Sequence, residues 1–157
     1  MSFLRFLMLL SLVVWLGGLI LFAVVAQTAF AVLPTRHLAG SLVSATLPKL
    51  HWMGIVSGVV FLVASMVYAR MTAGSAHPFA ARHVLLYLML IVTIISQFGV
   101  LPKMAALRGS MEEIDRVPLD DPARVAFDGL HVWSTRLEQG VLLLGLVVVY
   151  LTAAQFQ

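Results

Sequence analysis

Two histidines and one glutamate in the chain sit where an apolar helix would hold them. His51, Gly54, Gly58 and Ser65 differ by 3, 7 and 14 positions, which at 100° per residue places them on one helical stripe. His131, Thr135, Glu138 and Gly145 form a second stripe by the same arithmetic. Two imidazoles, a carboxylate and nearby thioethers such as Met53 and Met104 suit a soft or borderline metal, or haem iron held between histidines. The metal reading rests on His51 and His131; the alternative keeps both as interface residues bonded to headgroup, water or backbone. Glu138 sits at the mouth of an apolar run, where an acid is costly unless paired or wet. Lys49, Arg136 and a protonated His51 or His131 are its candidate partners; Arg136, two positions away, points to a different face, and a cross-helix pair with Lys49 is the preferred reading, set against proton or cation handling. Lys49, His51, His131, Arg136 and Glu138 are therefore the expected binding residues, gathered in a polar pocket near one membrane face.

The elements that must position them are spans of charge-free sequence. Of 157 residues, 61% are hydrophobic and only 11% charged, well under the quarter usual in soluble domains. No Asp, Glu, Lys or Arg occurs in residues 6–35, 50–69, 83–102 or 139–157. Each run is about the ~20 residues that cross a bilayer as a helix. The expected architecture is all-α: one domain over 1–157, an integral membrane bundle of four transmembrane helices near 6–33, 49–70, 82–101 and 131–154. The first run is longer than a signal-peptide core and is read as a retained helix. Pro34 ends it, residues 36–43 form an interfacial helix, and Pro48 resets the direction. Pro102 stops the third helix. A polar loop over 103–130 follows, since Lys103 to Glu138 holds all seven acidic and five of the ten basic residues. Within it, Asp121 is placed to cap an amphipathic helix beginning at Pro122, ahead of the fourth span.

Small residues mark the packing faces. Gly54 and Gly58 form a Gly-x-x-x-Gly step that lets another helix approach, and Trp15, Gly17 and Gly18 form a small-residue step in the first span. Gln27, Thr28, Thr93, Ser96 and Gln97 read as interhelical hydrogen-bonding groups. Arg5, Arg70 and Arg82 fall on one side of the membrane and the other seven basic residues on the opposite side, so the positive-inside rule leaves the termini outward.

The composition also excludes. With no cysteine, disulfides, thiolate zinc, iron–sulfur clusters and Cys nucleophiles are absent. Basic residues stand singly at helix ends, which argues against nucleic-acid binding. Ser110 and Ser134 lack nucleophile-elbow glycines and no phosphate loop exists, which disfavours a hydrolase or kinase. Three function classes stay open. They are binding or transport of a metal cation or small solute, a haem b or copper redox protein, and a non-catalytic subunit or assembly factor. The partners expected are the lipid bilayer and either other membrane subunits or further copies of the chain.

Trp15-Leu16-Gly17-Gly18, His37-Leu38-Ala39-Gly40 leading to Leu47-Pro48 and His51, Leu101-Pro102-Lys103, and Phe127 with His131 together resemble the transmembrane protein 205-like family. That family consists of small four-helix membrane proteins with a domain of unknown function. The resemblance implies the four-helix fold and a membrane location, here the bacterial inner membrane, and hints at export or metal handling. Trp15-Leu16-Gly17-Gly18 is also similar to the first helix of copper-resistance membrane proteins and of the haem-containing protoporphyrinogen oxidase family, which implies copper or haem b as a cofactor.

Overall fold

The computed structural model describes residues 1–111 and 113–155. α1 spans Ser2–Val32, α2 Arg36–Ala73 and α3 Ala81–Ile95; a π-helical turn, Ser96–Val100, joins α3 to α4, Leu101–Ser110. A short 3₁₀ turn, Ile114–Arg116, precedes α5, Pro122–Gln155. The described residues contain no strand, and four helical segments are long and apolar enough to cross a membrane: Ser2–Val32, Arg36–Ala73, Ala81–Ser110 and Pro122–Ala154. The protein is an all-helical integral membrane protein.

α1 packs most extensively along α2, and α3 along α5. Their shared interior holds Met8, Leu12, Trp15, Phe61, Leu86, Met89, Val141 and Val148, each at most 2% exposed. The outward faces stay apolar: Val13, Leu21, Val63, Ile91 and Leu143 are each more than half exposed, as a surface in contact with acyl chains requires. Gly54 and Gly58 receive a side chain and not a helix backbone. A Cβ on Gly58 would lie 2.8 Å from the Trp15 ring and 2.7 Å from Leu90, and one on Gly54 would run into the Trp15 indole. Gly17, expected among the packing residues, is exposed and faces open space; the adjacent Gly18 is the one held close, against Leu50 and Met53.

Two prolines behave differently from their sequence reading. Pro48 lies inside α2, and the segment expected as a separate interfacial helix is its first two turns. Pro48 has no N–H to donate to Ser44, so the local ladder is weakened. The turns before it are instead held at several points. Thr35 Oγ1 accepts from the Leu38 amide at 3.2 Å, and Asp115 Oδ2 accepts from that of His37 at 3.0 Å. Arg108 donates to the His37 carbonyl and to Ser41 Oγ. Gly40 makes that possible, since a Cβ there would fall 2.8 Å from the guanidinium.

Pro102 likewise does not stop the third span. Its missing N–H and the crowding of its ring against the preceding turn are absorbed by the π turn immediately before it, in which the Leu101 amide reaches back five residues to the Ser96 carbonyl. Helix therefore continues to Ser110, and the polar loop shrinks from 103–130 to roughly the segment between α4 and α5. Asp121 caps α5 as expected, its Oδ1 accepting from the Ala123 amide at 2.8 Å and the Arg124 amide at 3.2 Å. Arg124, 5% exposed, ties the loop down through the Ile114 and Val117 carbonyls and pairs with Asp128 at 3.4 Å.

Candidate functional site: a buried histidine between Gln97 and Glu138

His51 is 1% exposed and its two ring nitrogens are both engaged across the bundle. Nδ1 lies 2.9 Å from Gln97 Oε1 and Nε2 lies 2.6 Å from Glu138 Oε1. One side chain thus joins α2, the π turn and α5. The π turn matters for this geometry, because Gln97 belongs to it and the widened turn sets the angle at which the amide leaves the helix. Trp52 and Phe98, the next residue along each helix, meet edge to face at 6.1 Å and 86° beside the contact, both more than half exposed.

The hydrogen bonds constrain the protons. Gln97 presents a carbonyl oxygen, so Nδ1 carries a hydrogen and donates it. Nε2 and Glu138 Oε1 then share one further proton. On the nitrogen it makes an imidazolium–carboxylate pair; on the oxygen, a neutral pair. Both forms leave the centre without net charge, which is what an apolar surrounding demands. The Glu138 side chain is 17% exposed, against 1% for His51.

Of the five expected binding residues, the structure joins two directly, His51 and Glu138. Glu138 pairs with His51 and not, as expected, with Lys49. Lys49 is two residues from His51, or 200° around the helix, and its side chain lines a groove against α1. His131 and Arg136 are exposed, and Arg136 lies over the Trp133 ring at 6.0 Å. His131 precedes Glu138 by seven residues, about 10 Å of helix rise. Among the described residues no group of three or more His, Cys, Asp or Glu side chains could hold a metal ion. Gln97, read from sequence as helix-joining glue, is the third member of the centre.

A second histidine is buried at the opposite end of the α2–α3 seam. His83 Nδ1 donates to the His77 carbonyl at 2.8 Å, and its Nε2 lies 2.8 Å from Ser65 Oγ, which also accepts from Arg82 Nε at 3.2 Å. Ser65 was legible as the far end of the His51 stripe. Fourteen residues separate Ser65 from His51 and His83 from Gln97, so the two centres are about 21 Å apart along the seam.

A family model described as "Domain of unknown function (DUF4149)" matches residues 10–113, about two thirds of the chain. The chain belongs to that family. The DUF4149 segment includes His51 and Gln97, while Glu138 comes from α5, beyond its end. No curated protein and no solved structure matches the chain.

Proposed function

We propose that this DUF4149 protein binds and transports a small solute, with the proton shared by His51 and Glu138 as the coupled ion. The observation that carries the reading is the 2.6 Å contact between His51 Nε2 and Glu138 Oε1 inside a membrane bundle. Ionisable groups in such a position are retained at a cost and mark ion and proton paths. The centre lies at the edge of the charge-free runs 50–69 and 139–157, close to one membrane face, and the partly exposed carboxylate can exchange its proton there. The likeness to transmembrane protein 205-like proteins, with its hint of export, and a bacterial inner-membrane location belong to the same proposal.

A metal held by His51 and His131 is less well supported, because both His51 nitrogens are engaged and His131 stands two helical turns from Glu138. Haem ligation by His51 would break the same two bonds. The test is reconstitution into vesicles enclosing a pH-sensitive dye, with a pH gradient imposed in the presence of a panel of small cations and neutral solutes. A solute that accelerates collapse of the gradient for the native chain, and not for Glu138→Gln or His51→Ala, bears the proposal out. Equal collapse in all three proteins refutes it.

A further inference from the structure

We infer that the groove between α1 and α2 at Lys49 is a binding site for an anionic phospholipid, its phosphate at the Lys49 ammonium and the start of one acyl chain in the groove. The site is independent of the His51 centre. The groove encloses about 270 Å³ and is walled by Leu21, Phe22 and Val25 of α1 and by Leu50 and Met53 of α2, with Thr46 and Lys49 as its polar members. Its polar and apolar parts are separated along the membrane normal. Thr46 to Met53 on α2 and Val25 to Gly18 on the antiparallel α1 each cover seven residues, about 10 Å. Thr46 and Lys49 lie toward the α2 N-terminus, outside the charge-free run 50–69, and everything deeper is apolar.

Side chains in a helix lean toward its N-terminus, so the exposed Lys49 carries its ammonium outward, to the level of lipid phosphates. Gly18 closes the deep end: it is narrow enough there that a Cβ would lie 3.0 Å from Leu50 and run into Met53. No acidic residue is among those lining the groove, and Glu138 is paired with His51, so the charge at this groove is positive. A site with one cation at headgroup depth and an apolar slot beneath fits a lipid with a net negative head better than a zwitterionic one.

Native mass spectrometry of the full chain, released from detergent micelles doped with equal amounts of phosphatidylglycerol and phosphatidylcholine, tests this. The native chain is expected to retain phosphatidylglycerol about fivefold over phosphatidylcholine, the ratio that one interfacial lysine supplies. Lys49→Gln should remove the preference and Lys49→Arg should keep it, while Lys103→Gln, on the same side of the membrane, should leave it unchanged. Equal retention of the two lipids by the native chain overturns the inference, as does a preference that survives Lys49→Gln. A protein that runs as a dimer, and becomes monomeric on Val25→Trp without change in bound lipid, also overturns it by showing that a second copy fills the groove.

Discussion

Replacing His51 by alanine removes the group that bridges Gln97 Oε1 and Glu138 Oε1. The carboxylate is then left without its partner, 17% exposed in a surrounding that solvates charge poorly. Loss of one member of a buried pair costs about 3–5 kcal/mol; the partial exposure of Glu138 puts the cost near the lower end, about 3 kcal/mol. Glu138→Gln removes the charge and can turn its amide N–H to Nε2, the acceptor nitrogen of a neutral imidazole whose hydrogen sits on Nδ1, so its cost is about 1–2 kcal/mol. The two changes act on one contact and must not add: the double variant should be more stable than the sum of the single losses implies, with a coupling of about 1–2 kcal/mol. For a chain of this size each kcal/mol moves the melting temperature by about 2–4 °C, so His51→Ala should fall by roughly 6–12 °C. Thermal unfolding of the four proteins in one detergent, followed by far-ultraviolet circular dichroism, measures all the terms of the cycle. Additivity within about 0.5 kcal/mol refutes the argument that these side chains depend on each other.

Gly54→Ala places a methyl group against the Trp15 indole, whose position is fixed by the surrounding core, and should destabilise by about 1–3 kcal/mol, partly recovered in Gly54→Ala with Trp15→Phe; Gly17→Ala, facing open space, should be neutral or slightly stabilising in the same melting assay. Arg108→Ala removes the donor to the His37 carbonyl and Ser41 Oγ, costing about 1.5 kcal/mol, and amide exchange should rise over residues 36–47 more than elsewhere in α2. Asp121→Ala leaves the Ala123 and Arg124 amides without their acceptor and should cost about 1 kcal/mol, while Asp121→Asn should restore most of it.

The spans were legible because a membrane imposes one simple condition, about twenty residues without charge, and the sequence meets it four times. Of the three prolines read as breaks, Pro34 does follow the end of α1 at Val32, while Pro48 and Pro102 misled. A proline breaks a helix only when nothing else holds the chain. At Pro48 the Arg108 cradle and the Thr35 and Asp115 caps hold the preceding turns, and at Pro102 the π turn takes up the missing bond. Apart from the Thr35 cap, which bonds three residues on, these compensations have no local pattern; they depend on residues more than sixty positions away or on a change of helical pitch.

Helical periodicity alone put His51, Gly54, Gly58 and Ser65 on one buried face, and all four are buried there. The partner of Glu138 was harder. Lys49 and His51 both lie at the right end of α2, and only the rotation of α2 against α5 decides which one faces the carboxylate. Gln97 was visible as a polar group at depth. Its bond to His51 was not, because the π turn shifts the register on which a periodicity argument depends. Arg108 and Arg124 gave no signal, since an arginine that caps carbonyls looks in sequence like any solvated one.

Nitrogen-15 NMR of histidine-labelled protein addresses the His51–Glu138 proton directly. The His51 resonances, assigned by their loss in His51→Ala, should show both ring nitrogens hydrogen-bonded, and Glu138→Gln should move Nε2 much further than Nδ1. A spectrum in which neither nitrogen responds to Glu138→Gln contradicts a shared proton at this centre.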